Sequence, residues 1–262
     1  MNLKKKIASY GKWSLITGGS DGIGKDFSFE LASLGQSLII VGRDESKLKE
    51  VKAQIENQYK VQVTVYALDL SISKNTSSLI EITKDLDIGL VVLAAGFGSL
   101  GDFSTLHIEN ELQMVDTNCR SIVQLTHSFA NKMKIKKKGA IILFGSLVGF
   151  QGVPWASTYS ATKAFVQSFA EGIRAELKSE NIDILSVAPG PVSSGFGERA
   201  NMNMGKAQAT KGIGRICLKA LGNQTTIRPG FLSKFLGYSL IILPRSIRSF
   251  ILKQIMSGMI KK

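Results

Sequence analysis

Short apolar runs alternate along this chain with longer amphipathic stretches. The runs are Trp13–Thr17, Leu38–Val41, Val61–Leu68, Ile88–Ala95, Ala140–Phe144 and Ile182–Ala188. Between them, Gly22–Leu34, Glu45–Tyr59, Glu109–Lys134 and Thr158–Lys178 repeat apolar residues at helical spacing. Strand, helix, strand in succession predicts βαβ units and a parallel sheet. The runs are mostly apolar throughout instead of alternating, as strands covered on both faces require. The expected class is therefore α/β, a doubly wound parallel sheet with helices on both faces. Beyond residue 189 the pattern weakens, and Gly190–Gly205 reads as a long loop. The expected division is a dinucleotide-binding and catalytic domain over residues 1–225 and a basic, apolar C-terminal helical extension over 226–262.

Charge sharpens that division. The chain has 262 residues and a net charge of +13. Of its 33 Lys and Arg, 12 lie in residues 199–262, where no Asp or Glu occurs. The remaining 21 are balanced by all 20 acids in residues 1–198. A near-neutral body with a basic end points to a local anionic partner, not to nucleic acid, for which no aromatic–basic module is present. Cys119 and Cys217 are too few for a disulfide scaffold and read as reduced thiols. With only His107 and His127 available, no metal site is expected. Lys4-Lys5-Lys6 lacks the apolar run of a secretion signal. Phe231–Leu243 is too short to cross a membrane, which takes about 20 apolar residues. The expected location is the cytoplasm, at the inner face of a membrane if the basic end binds lipid.

Thr17-Gly18-Gly19-Ser20-Asp21-Gly22-Ile23-Gly24 follows the first run and opens the first helix. Gly18 and Gly22 let the backbone turn tightly against a pyrophosphate, and Gly24 permits close helix–strand packing. The helix N-terminus adds N–H donors and a positive dipole end. The second run ends Val41-Gly42-Arg43-Asp44. An acid at the strand end would bond a ribose 2′-hydroxyl; Gly42 and Arg43 there suit a 2′-phosphate, hence NADP. Asp44 reads as a helix cap. Asp69-Leu70, after the third run, is placed to reach an adenine amino group, or to cap a helix.

Tyr159 and Lys163 stand four residues apart, on one helix face. An ammonium beside a phenol favours tyrosinate, so the pair can pass a proton to or from a carbonyl or alcohol. Ser146 closes the fifth run and can steady a carbonyl oxygen. Asn118, inside the long helix, is a poor helix former that needs a reason to be there.

Taken together these motifs make the sequence similar to the short-chain dehydrogenase/reductases over roughly residues 12–195. Thr17–Gly24 matches the cofactor turn, and Asn118, Ser146, Tyr159 and Lys163 match the catalytic tetrad. Pro189-Gly190-Pro191-Val192-Ser193-Ser194 resembles the nicotinamide-contacting segment, with Ser194 for the usual Thr. Gly96 persists from the family's Asn-Asn-Ala-Gly, which here is Leu93-Ala94-Ala95-Gly96. The resemblance implies a Rossmann core and hydride transfer from a nicotinamide. It implies Tyr159 as proton donor, Lys163 on the nicotinamide ribose and Asn118 holding a relay water. It also implies a homo-oligomer built through Glu109–Lys134 and Thr158–Lys178.

Local similarity is to the hydroxysteroid and long-chain 3-oxoacyl reductase branch, an expectation of lipid metabolism. Phe150, Val153, Pro154 and Trp155 are expected to line a pocket for a lipophilic carbonyl, with Met202 and Met204 as an adaptable lid. A second reading is a non-catalytic NADP(H)-binding protein docking on a membrane or partner through its basic end. After Pro244, Ile247, Ile251, Ile255 and Met259 recur every four residues among Arg and Lys, including Lys261 and Lys262. Residues 228–262 are thus expected to form a peripheral membrane contact, unless the stripe packs on the core.

Overall fold

The structure, a computed structural model, describes residues 2–200, 202, 203, 207–239 and 242–259. Met204, Lys261 and Lys262, used in the expectations above, and Leu240 and Ile241 within the Phe231–Leu243 run lie outside the described residues. The side chain of Leu232 is likewise not described.

The elements run α1 (Leu3–Tyr10), β1 (Trp13–Thr17), α2 (Gly22–Ser33), β2 (Ser37–Gly42), α3 (Glu45–Tyr59), β3 (Val63–Ala67), α4 (Ser73–Ile82) and β4 (Ile88–Leu93). They continue through α5 (Ile108–Val115), α6 (Ser121–Lys136), β5 (Gly139–Phe144), α7 (Ser157–Leu177), β6 (Ile182–Val187), α8 (Phe196–Arg199) and α9 (Ile213–Ala220). The chain closes with β7 (Thr226–Ile227), α10 (Phe231–Ser239) and α11 (Arg245–Met259).

The strands form one seven-stranded sheet in the order β3-β2-β1-β4-β5-β6-β7. Every pairing is parallel. Successive side chains on a strand point to opposite faces. Ile16, Ile40, Val92 and Ile142 meet Phe27, Leu48 and Leu218 from α2, α3 and α9 on one face. Their neighbours Leu15, Ile39, Val91 and Ile141 meet Leu79, Phe129 and Val166 from α4, α6 and α7 on the other. This is the doubly wound Rossmann arrangement. The strand order reverses between β1 and β4, and a crevice opens beyond their C-terminal ends.

Most expected elements form, and α3 has the expected bounds. The Asp44 carboxylate caps it by accepting from the Lys47 amide at 3.0 Å. Helices α1, α4, α8 and α9 and strand β7 were not anticipated. Lysines obscure the pattern of α1, yet Ile7 and Tyr10 are buried and the Tyr10 hydroxyl donates to Asp183 in β6. Strand β7 is only two residues long and lies just past residue 225. The stretch from Gly190, expected as loop, contains α8 and a bridge between Val192 and Gln208.

The long helix expected over Glu109–Lys134 is interrupted. Asp116–Arg120 forms a π turn, in which the Ser121 amide bonds back to the Asp116 carbonyl. The extra residue in the turn brings Asn118 to full burial.

A third apolar cluster lies past the end of the sheet. Leu100, Val148, Val153, Ala156, Ala200 and Met202 pack there with Leu252 and Met256 of α11. The inner face of α11 is thus Leu252, Met256 and Met259, not the expected Ile247/Ile251/Ile255/Met259 stripe. Apolar residues extend around more than one side of this helix, so two registers were compatible with the pattern, and packing selected one. Ile247 and Ile255 remain 45% and 41% exposed. Helix α10 is tied down where Gly190 N donates to Ser233 Oγ at 2.7 Å, and α11 where Asn203 N donates to the Met259 carbonyl at 2.9 Å.

Candidate active site

A cleft of about 670 Å³ runs along the C-terminal ends of the central strands. Gly18, Ser20, Asp21, Gly22, Ile23 and Gly24 form one wall at the start of α2. Gly18 has φ +69°, and a Cβ there would lie 3.0 Å from the Ala95 backbone. At Gly24 a Cβ would lie 2.2 Å from the Gly18 carbonyl oxygen. The turn is therefore closed on itself by backbone, and its first-turn amides have no intrahelical acceptor. Such a cradle fits a pyrophosphate. Arg43, Asp69, Leu70 and Gly96 also line the cleft, as do Pro189, Gly190, Val192 and Ser194. Arg43 is exposed, with its guanidinium 6.0 Å from the Phe97 ring centre. The Asp69 carboxylate accepts from Ser71 N at 2.9 Å, the cap-like role held open for it, while still bordering the cleft.

Thr17 and Asn118 stand behind the wall and do not line the cleft. Thr17 Oγ1 accepts from Ala95 N at 3.1 Å and so braces β4 against β1. Asn118 Oδ1 accepts from Phe97 N at 3.2 Å, and its Nδ2 donates to the Phe97 carbonyl at 2.9 Å and to Thr162 Oγ1 at 3.1 Å. Together they support the segment left without amide side chains at Leu93-Ala94-Ala95-Gly96. Gly96 is required to be small, because a Cβ there would meet Asn118 Oδ1 at 2.8 Å and Lys163 Nζ at 3.5 Å.

Ser146, Tyr159 and Lys163 meet at the deep end of the cleft. Ser146 borders the Tyr159 phenol, where its hydroxyl favours the ionised form. Lys163 is buried and donates to the Phe144 carbonyl at 2.9 Å, with Nζ 5.7 Å from the Tyr159 ring centre. Burial lowers its pKa from 10.5 to about 8. Burial likewise raises Tyr159 to about 12, against the opposing pull of Ser146. This departs from the expectation that the ammonium would depress the phenol. Loss of water around the two groups sets both shifts, and Lys163 spends a donor on the Phe144 carbonyl.

Several lining residues escaped the sequence reading. Lys47, in the first turn of α3, joins Arg43 in lining the cleft. Arg199 of α8 reaches across to Asp21 at 3.1 Å, linking the glycine turn to the far wall. Phe196 packs on Tyr159 with ring centres 5.5 Å apart. Phe150, Val153, Pro154 and Trp155 do not line the cleft: Val153 and Trp155 pack in the cluster behind it, and Phe150 lies under Arg228. The apolar wall is instead built by Met202 together with Leu236, Leu252, Ile255, Met256 and Met259 from α10 and α11.

The short chain dehydrogenase family profile matches residues 12–205. The chain belongs to this family. It is 33% identical over 190 residues to a 7beta-hydroxysteroid dehydrogenase of Clostridium sardiniense, covering 72% of each chain. It is 31% identical over 239 residues to a very-long-chain 3-oxoacyl-CoA reductase of Rattus norvegicus, covering 90% of this chain and 76% of that one. Among solved structures, a 7beta-hydroxysteroid dehydrogenase superposes with a TM-score of 0.87 at 23% identity, over 96% of this chain and 99% of the other. A short-chain dehydrogenase from Sphingobium yanoikuyae in complex with NADPH superposes with a TM-score of 0.79 at 25% identity, over 85% and 90%. The chain is an NAD(P)-dependent oxidoreductase of this family, with a Rossmann fold that fits its cofactor.

The closed glycine turn makes a direct prediction. In Gly24→Ala the new methyl meets backbone, which cannot swing aside as a flexible side chain would. Affinity for the dinucleotide should fall by at least about tenfold, or about 1.4 kcal/mol. A fluorescence titration with NADPH checks it, and unchanged binding would show that the turn tolerates opening.

Proposed function

We propose that this enzyme is an NADP(H)-dependent reductase interconverting a lipophilic ketone or oxoacyl group and its alcohol, with Tyr159 as proton donor. The observation that carries this reading is one cleft that joins Ser146, Tyr159 and Lys163 to Arg43 at one end and to an apolar, methionine-rich wall at the other. A nicotinamide dinucleotide held in this cleft would supply the hydride to the carbonyl carbon, or accept it from the carbinol carbon in the reverse direction. Tyr159 gives its hydroxyl proton to the carbonyl oxygen, and a phenol raised to about 12 keeps that proton available at neutral pH. Ser146 donates to the same oxygen and holds it beside the phenol. Lys163 supplies donors to the ribose hydroxyls. Asn118 acts by positioning, since its amide hydrogens are taken by Phe97 and Thr162, leaving one lone pair of Oδ1 for a relay water.

Met202, Met256 and Met259 give an adaptable surface for a bulky apolar substrate. That fits the two kinds of relatives, whose names specify a hydroxysteroid and a very-long-chain oxoacyl thioester. NADPH oxidation against a panel of ketones and oxoacyl thioesters tests the reading. Turnover confined to small polar carbonyls would overturn it. Leu112, Val115, Val123 and Phe165, each exposed on α5 to α7, support a homo-oligomer joined through those helices.

Cofactor choice rests on Arg43, with Lys47 beside it. A charge-assisted contact to the 2′-phosphate is worth about 1.5–3 kcal/mol, or about ten- to a hundredfold in affinity. Arg43→Ala should therefore weaken NADPH by that factor and leave NADH nearly unchanged. Titration of both dinucleotides against both proteins decides it, and equal wild-type affinities would remove the assignment.

A further inference from the structure

The outer sides of α10 and α11 carry a set of apolar side chains that the fold does not use. Phe231, Phe235 and Tyr238 are 84%, 58% and 62% exposed on α10, at the i, i+4, i+7 spacing of one helix face. Phe231 and Phe235 stack on each other, ring centres 6.2 Å apart. Ile242 follows at 85%, and Phe250 is 62% exposed on α11, with Ile247 one turn before it and Ile255 exposed further along the helix. The two helices are neighbours, since Leu236 and Gly237 share a crevice with Arg248 and Leu252. Lys234, Arg245 and Lys253 stand exposed among these residues. Arg228 and Arg248 each hold a buried Nε with no acceptor.

We propose that this face docks on an anionic lipid surface, with the aromatic and isoleucine side chains in the acyl–headgroup boundary and the cations on lipid phosphates. Charge selects this occupant. Residues 199–262 hold no acid, so an isologous contact between two copies of this face would oppose like charges, whereas anionic headgroups supply the missing counter-charge. The exposed Lys234, Arg245 and Lys253 supply the cations that phosphate oxygens would meet. No helix among the described residues is long and apolar enough to cross a membrane, so the contact is peripheral. Ile255 is both exposed on this face and part of the cleft wall. The cleft therefore has a rim at the docking face, by which a membrane-dissolved amphiphile would enter. That last step rests on the lipophilic-substrate reading above; the docking itself does not.

The test is cosedimentation of the full chain with vesicles of phosphatidylcholine containing 30 mol% phosphatidylglycerol (about that fraction suffices for a negative surface). Wild type should bind at low salt and lose affinity by at least about tenfold at high salt, because each exposed cation contributes about fivefold. Pure phosphatidylcholine should bind much less. Two variants should each lose binding by at least about tenfold while keeping NADPH affinity: the apolar F231S/F235S/F250S and the charge variant K234E/R245E/K253E. NADPH titration reports folding, and the charge variant alters only exposed side chains. A wild type that stays in the supernatant, or variants that bind as well as it does, overturns the proposal. A wild-type oligomer that the apolar variant splits into monomers assigns the face to a second copy and equally overturns it. None of these readouts depends on turnover, so an error in the substrate assignment leaves the outcome legible.

Discussion

Tyr159→Phe is expected to lower turnover by about 10²–10⁴-fold while NADPH affinity changes by less than about twofold. The substitution removes one oxygen and keeps the ring, which packs against Phe196 and against Gly98, where a Cβ would come within 3.0 Å of it. Packing and the cleft wall therefore survive, and only the transferable proton is lost. With the phenol raised to about 12, wild-type Tyr159 stays protonated across the neutral range, so reduction should show no loss of rate from its ionisation below about pH 11. Steady-state NADPH oxidation with titration of cofactor binding separates the two effects. A variant retaining a tenth of the wild-type rate would show that another group donates the proton. The same pair of measurements distinguishes an enzyme from a protein that only binds the dinucleotide.

Lys163→Met is expected to stabilise the cofactor-free protein at pH 7 while weakening NADPH binding and turnover. Lys163 is 6% exposed, and burial holds its pKa at about 8 against 10.5 for the unperturbed group. Below about pH 8 both folded and unfolded chains carry the ammonium, and the burial cost is present in full, about 3 kcal/mol. Between about 8 and 10.5 the unfolded chain binds more protons than the folded one, so this contribution to stability rises with pH. Losing the hydrogen bond to the Phe144 carbonyl offsets about 1 kcal/mol, which leaves a net gain of about 2 kcal/mol, or several degrees in Tm, at pH 7. The gain should shrink toward pH 10. If the ammonium donates to the ribose hydroxyls, wild-type NADPH affinity should fall as pH rises through about 8, and the variant should lack that dependence. Thermal melts and NADPH titrations across pH 6–10 check both signs; a variant that melts lower at pH 7 would show that Lys163 is held by partners that outweigh its desolvation.

The sheet, the tight glycine turn and the pairing of Tyr159 with Lys163 were legible in the sequence because each depends on local pattern. Apolar runs covered on both faces have one solution, a parallel sheet. Gly18 and Gly24 are demanded by backbone approach within eight residues of each other, and Tyr159 and Lys163 share a face by helical spacing alone. Asp44 caps α3 for an equally local reason.

What sequence pattern could not supply was decided by contacts between distant segments. Asn118 could be marked as unusual in a helix, but the π turn that buries it, and its bonds to Phe97 and Thr162, arise only when α5, α7 and the end of β4 meet. The Tyr159 phenol was expected to be depressed and is raised, because desolvation is set by everything packed around the pair, which spacing does not reveal. The apolar wall was expected at Phe150, Val153, Pro154 and Trp155 with Met202 and Met204 over it; of these Met202 lines the cleft and α10 and α11 supply the rest, because a helix with apolar residues on more than one side presents the register that fits the cluster it meets. The chain's own sequence therefore determined the fold, the closed glycine turn and the helical spacing that puts Tyr159 and Lys163 on one face. Tertiary packing alone decided that the basic C-terminal helices close the catalytic cleft, since burial of Leu252 and Met256 exists only once Met202 and Val148 are there to receive them.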